Sequence, residues 1–242
     1  MLAFQTESDL LAFLQPHDAR IEQERRTLLH ELFRTNETSG HSESIFDGTG
    51  GLGHGAGMRS SATKLELLTV EDYRATPEGS RYQLVEGELL MAPAPNRFHQ
   101  RIITNLVLLL GAHSRAAGIG DVYIAPFDVY LGENDVYQPD LIFVSKERLH
   151  ILADDGAHGA PELVIEVISP SNAQLDKKRK RGVYARTGVK ELWLVDPILL
   201  QIHLYDFAKN ATKAVRIVDE DESFETPLLP GLIIPAAEVF RR

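Results

Sequence analysis

Apolar residues recur along this chain in two rhythms. From Tyr82 to Val85 and from Glu88 to Met91 they cluster in short runs around Glu86-Gly87, which predicts two strands joined by a hairpin or bulge. After Asn96, a helix cap, Ile102, Leu106, Leu109, Leu110 and His113 fall on one face of a long helix. Runs rich in Val, Ile and Leu follow at Val122 to Ala125, Asp128 to Leu131, Tyr137 to Val144 and, past a charged turn, Leu163 to Ile168; all predict strands. Ser169-Pro170-Ser171 breaks the chain, and Ser171 to Gln174 is a capping box opening a helix to about Thr187. Leu192 to Val195 returns as a strand, and Ile202 to Phe207 with Ala214 to Val218 add hairpin strands. Thr69-Val70-Glu71-Asp72 reads as a helix start, and Pro227 to Pro230 is a turn before a short terminal helix. Helix, strands, helix and strand around a mixed sheet describe an α/β domain over residues 58–242.

Before residue 58 the pattern differs. Residues 1–35 have helical spacing at Ile21, Leu28, Leu29, Leu32 and Phe33, and Thr35 to Gly57 read as a flexible Gly-, Ser- and Thr-rich linker. Gly48-Thr49-Gly50-Gly51-Leu52-Gly53 matches a dinucleotide-binding pattern in form, but it follows no strand and opens no helix, so it is read as linker. His41 and His54 are read as solvated. Residues 1–57 are thus expected to be an extension, with Met58 as an alternative start.

Composition narrows the function. No stretch approaches the roughly 20 apolar residues of a membrane span, and no basic segment followed by an apolar one opens the chain. The absence of cysteine removes disulfides, zinc-thiolate sites and thiol nucleophiles, and fits a cytoplasmic location. A formal charge of -10 argues against a protein that coats nucleic acid by electrostatics alone. It leaves room for an enzyme that meets phosphate through a local basic patch and a divalent ion.

Two carboxylates then stand out. Asp140 opens Leu141-Ile142-Phe143-Val144, and Glu166 interrupts Leu163-Val164-Ile165-Glu166-Val167-Ile168, in runs that read as strands buried on both faces. An uncompensated buried carboxylate costs several kcal/mol, roughly. Two in successive strands suggest a shared hard cation such as Mg2+, with the adjacent Val167 carbonyl as a third ligand. The plainer alternative has Asp140 ending a strand near solvent and Glu166 paired with a helix lysine. On the following helix, Asp176, Lys180 and Tyr184 make an i, i+4, i+8 stripe, amid the basic residues Lys177, Lys178, Arg179 and Arg181. Lys180 can orient water or stabilise phosphate charge, and the other four can follow a DNA backbone. The alternative is a solvated face with an Asp176–Lys180 pair.

The order of several segments carries a resemblance. Tyr82 to Leu89, Phe98-His99-Gln100, Gln138-Pro139-Asp140-Leu141, Pro161 to Ser171, Asp176, Lys180, Tyr184-Ala185-Arg186 and Gly188 to Pro197 together closely resemble the Uma2 family of restriction endonucleases, within the PD-(D/E)XK nuclease superfamily. The resemblance covers about residues 65–240. It implies a restriction-endonuclease-like αβββαβ core with a mixed central sheet and added hairpin strands, and Mg2+-dependent hydrolysis of DNA, with Mn2+ as a substitute. Asp140 matches the motif aspartate and Glu166 the (D/E) position. Ile168 stands where the superfamily has lysine, and Lys180 matches the lysine moved onto the helix. Glu88 matches a further acid that would help hold metal or water, or else is an exposed hairpin charge. His99 matches a helix position near the site, or else is a hydrogen-bonded structural histidine; Asp196 is read as a strand-end turn residue. The accompanying expectations are a homodimer and no membrane association. The competing functions are a non-catalytic DNA-binding or regulatory protein on a nuclease scaffold, and an interaction module; metal-dependent cleavage of plasmid separates the first reading from both.

Overall fold

The computed structural model describes residues 67–77, 79–92, 94–168 and 175–242, with the backbone alone at 175–177. The predicted N-terminal helix, the linker and the Ser171 to Gln174 capping box lie outside these residues. Helix α1 (Val70–Arg74) begins at Thr69, whose N–H and hydroxyl both meet the Asp72 carboxylate, a capping box. Strands β1 (Tyr82–Val85) and β2 (Glu88–Met91) form the expected hairpin, turned by Glu86 and Gly87, both at positive φ. Asn96 caps α2 (Arg97–Leu106) by accepting from the His99 N–H. The helix continues through a π-helical stretch, Val107–Gly111, into α3 (Ala112–Ala117).

Strands β3 (Gly120–Ile124), β4 (Val129–Gly132), β5 (Asp135–Tyr137) and β6 (Leu141–Ser145) follow. The run Tyr137 to Val144, expected as one strand, is two strands in different sheets. Gln138-Pro139-Asp140 carries the chain between them, and Pro139 has no N–H to continue a ladder. The charged turn after β6 is a 3-10 helix, Lys146–Ile151, leading into a hairpin absent from the sequence reading, β7 (Leu152–Ala153) and β8 (Gly156–His158). Then come β9 (Leu163–Val167), α4 (Leu175–Thr187), β10 (Glu191–Asp196), β11 (Gln201–Asp206), β12 (Arg216–Asp219), β13 (Ser223–Phe224), β14 (Ile234–Pro235) and α5 (Ala236–Phe240). At the end of β10, Asp196 accepts from the Ile198 and Leu199 N–H groups and turns the chain, as expected.

Two six-stranded sheets result, ordered β2-β1-β5-β4-β8-β7 and β12-β11-β10-β9-β6-β3, with β13 and β14 paired apart. In the second, β9 and β10 are parallel and their neighbours antiparallel, so α2, β3, β6, β9, α4 and β10 trace the αβββαβ core. Alternation divides its side chains between two cores. Leu141, Phe143, Leu163, Ile165 and Trp193 meet Ile102, Ile103, Leu106 and Leu110 from the α2 layer, and Ala236, Val239 and Phe240 from α5. Ile142, Val144, Val164, Leu192 and Leu194 meet Val183 and Tyr184 from α4, together with Val85, Val129 and Tyr137 of the first sheet. Leu106 is fully buried, whereas Leu108 is 66% exposed. Leu106→Ala is therefore expected to cost about 2–5 kcal/mol in urea unfolding, and Leu108→Ala to stay within about 0.5 kcal/mol of wild type. Equal losses would place the helix face wrongly.

Candidate active site

The site grows from one register. Strands β6 and β9 pair with Phe143 opposite Leu163 and Leu141 opposite Ile165. One step further, Asp140 stands opposite Glu166. Alternation sends Ile165 and Val167 into the α2-side core and Val164 into the α4-side core, so Glu166 projects toward α4. The two carboxylates thus sit side by side where the strands part.

Asp140 is held from two directions. Its Oδ2 accepts from the Val167 N–H at 2.8 Å, and its Oδ1 lies 3.0 Å from Nε2 of His99, near the start of α2. The register continued sets Pro139 opposite Val167, and a proline has no N–H to give the Val167 carbonyl. Glu166 is held from α4: its Oε1 accepts from the Tyr184 hydroxyl at 2.7 Å and lies 3.3 Å from Nζ of Lys180. The Lys180 ammonium also sits 6.0 Å above the Tyr137 ring. Exposure is low at all four side chains, at 12% for His99, 21% for Asp140, 13% for Lys180 and 16% for Glu166.

Burial pushes the Glu166 carboxyl above its usual range, and the Asp140 charge pushes the same way, while Lys180 and the Tyr184 hydrogen bond pull it down. Burial and the Glu166 charge raise Tyr184 well above the ordinary phenol range, so its hydroxyl remains a donor at neutral pH. A cleft of about 1000 Å³ opens over this group; Asp140, Glu166, Val167, Lys180 and Tyr184 line it.

The family model described as "Putative restriction endonuclease" matches residues 70–237. The chain belongs to the Uma2 family. An uncharacterized Synechocystis protein is 25% identical over 148 residues, spanning 58% of this chain and 81% of its own. A crystal structure from Anabaena variabilis, titled a putative nuclease belonging to DUF820, superposes with a TM-score of 0.62 at 18% identity, covering 72% of this chain and 97% of that one. That likeness carries the fold: a restriction-endonuclease-like αβββαβ core.

In this Uma2 domain the residues singled out from sequence separate into groups. Asp140, Glu166, Val167 and Lys180 come together, joined by His99 and Tyr184. Glu88 does not join them; its carboxylate is 59% exposed and accepts from Arg179 at 2.8 Å. Arg179 also donates to Glu86 and to the Val85 carbonyl, so it ties α4 to the β1–β2 hairpin. Among the other basic residues, Arg181 lines the cleft, Lys178 is exposed, and the Lys177 side chain lies outside the described atoms, as does that of Asp176. Among the described residues, no three His, Asp or Glu side chains form a metal-holding cluster. Gln83 is buried in the cleft wall, and no local signal in the sequence sets it apart from the other positions of β1.

The Glu166 shift has a thermodynamic sign. A carboxyl whose folded pKa is raised costs stability above that pKa, and the cost fades as pH falls toward the ordinary glutamate value of about 4.5. In metal-free protein, the stability of wild type relative to Glu166→Gln is expected to fall as pH rises from about 4.5 and to level off above the folded pKa. Tyr184→Phe, which removes a hydrogen bond that favours the charged form, should move that levelling point upward. Thermal melts of the three proteins across this range test it, and a pH-independent difference would refute it.

Proposed function

We propose that this Uma2 protein is a metal-dependent endonuclease that hydrolyses DNA phosphodiester bonds. The observation that carries the reading is the pairing of Asp140 and Glu166 at the parting of β6 and β9, inside a cleft and within reach of Lys180. Membership in a family described as restriction endonucleases supports it.

The donor set fits a hard divalent cation. Asp140, Glu166 and the Val167 carbonyl offer only oxygen, and a buried carboxyl pushed up by desolvation and by a neighbouring carboxylate is relieved by nearby positive charge. We assign those three groups to Mg2+, with Mn2+ as a substitute. When bound there, such an ion neutralises charge developing on the phosphate and acidifies a coordinated water.

The protein's own groups do the rest. Nζ of Lys180 lies 3.3 Å from Glu166, where it can donate to a phosphate oxygen or to the attacking water. Tyr184 keeps its proton and fixes Glu166 Oε1, while His99 and the Val167 N–H fix the two oxygens of Asp140. Glu88 acts at one remove in this scheme, by holding Arg179 and with it the hairpin that forms one wall. We assign DNA contact to Arg181 and Lys178, and we propose a cytoplasmic homodimer.

One observation favours a second reading. The Lys180–Glu166 pair already gives the buried carboxylate a cation of its own, as a scaffold kept for binding alone would need. Metal separates the two. In the nuclease reading Mg2+ or Mn2+ raises the Tm of wild type by mass action, and this rise is lost in Asp140→Asn and Glu166→Gln. Plasmid cleavage should fall about 10²-fold or more in both variants and in Lys180→Ala. A wild type that neither gains stability from the ion nor cuts DNA would leave the scaffold reading standing.

A further inference from the structure

Gln83 is not explained by phosphate chemistry. It lies in β1, 6% exposed, and its Oε1 has no hydrogen-bond partner among the described residues. A buried amide left unpaired is a standing cost to the fold, and such groups in native proteins call for a reason. Gln83 lines the same cleft as Asp140 and Glu166. Its cross-strand partner there is Leu90. Met91 and Ile124, 57% and 46% exposed, also line it. Arg181 contributes a second buried polar atom without a hydrogen bond, its Nε, to the wall of the cleft.

Apolar surface beside an unpaired amide is suited to a nucleobase. A base has flat apolar faces and an edge on which donor and acceptor stand side by side. The side-chain amide of glutamine presents the complementary pair and can bond such an edge twice. Gln83 is recessed in a cleft rather than carried on a projecting helix or ribbon, so a base must leave its stack to meet it. In a duplex the Watson–Crick edge is taken and the faces are covered; in a single strand both are available. A volume of about 1000 Å³ is that of a ligand pocket and is ample for a nucleotide. The net charge of -10 likewise disfavours broad tracking along duplex phosphates.

We propose that the cleft takes an unpaired nucleotide of single-stranded DNA, its phosphate at Asp140 and Glu166 and its base against Leu90, Met91 and Ile124 with its edge on Gln83. The phosphate placement rests on the nuclease reading above. Gln83 is then a specificity-determining residue, whose amide oxygen has no partner among the described residues because its partner is the substrate.

The test uses the full chain, a fluorescein-labelled single strand of mixed sequence and its duplex, followed by anisotropy in EDTA. The single strand should bind roughly tenfold tighter or more than the duplex. Gln83→Leu should weaken single-strand binding by about tenfold, the loss of one well-placed hydrogen-bonding group. The same variant should keep or raise the Tm, because no protein hydrogen bond is broken. Equal affinity for the two DNAs, undetectable single-strand binding, unchanged affinity in Gln83→Leu, or a lowered Tm for that variant would each overturn the inference. Cleavage with Mg2+ or Mn2+ distinguishes the failures. A wild type that fails the binding test yet cuts duplex DNA refutes the single-strand inference and keeps the nuclease reading. One that passes it yet cuts neither DNA refutes the nuclease reading.

Discussion

The pairing of β6 with β9 is the constraint on which the site depends. With Leu141 opposite Ile165, the next step brings Asp140 opposite Glu166. A slip of one residue would turn Glu166 into the apolar core against α2 and Val167 toward α4. That slip is resisted along β9, since Leu163 and Ile165 fill one core and Val164 the other. The apolar residues of β9 thus hold the position of the one charged residue among them.

Fixing a carboxylate there has a cost, and the surrounding layers offset it. Lys180 and Tyr184, one helical turn apart on α4, both reach Glu166 Oε1. Helix α4 is itself anchored through Arg179 to Glu86, Glu88 and the Val85 carbonyl, and through Arg186 to Glu86 and Asp135. These outer pairs are partly exposed, and each contributes little on its own to stability. Their effect is geometric, because they join the hairpin, β5 and the helix that carries the two groups on Glu166. On this basic helix Arg179, Lys180, Arg181 and Tyr184 border the cleft, while Arg179 and Arg186 also fasten the helix to the first sheet.

Burial alone does not mark a functional acid. Glu162, just before β9, is 1% exposed, more hidden than Glu166. It accepts from the Ser145 N–H at 2.9 Å and lies near Arg148 and Lys190, closing the far end of the β6–β9 pair. Glu166 differs in having a second carboxylate across the register and a cleft above it.

Much of this was legible in order and spacing. The hairpin at Glu86-Gly87, the Asn96 cap, the strand carrying Glu166 and the helix carrying Lys180 each follow from local rules, because caps, turns and apolar periods act over a few residues. Asp140 and Glu166 could be singled out because charge inside an apolar run is a local anomaly. Other features depended on contacts between distant segments. Tyr137 to Val144 reads as one strand with Pro139 inside it, yet the chain changes sheets there, since Val136 pairs with Leu84 while Leu141 pairs with Ile165. Glu88 and Arg179 are 91 residues apart, and only folding sets one carboxylate on the other's guanidinium, away from the acid pair. Gln83 differs in no visible way from any polar residue of a half-buried strand. Its unpaired amide exists only because β1, α4 and the β6–β9 pair enclose a common space, and enclosure is a property of the packed layers that no local spacing encodes.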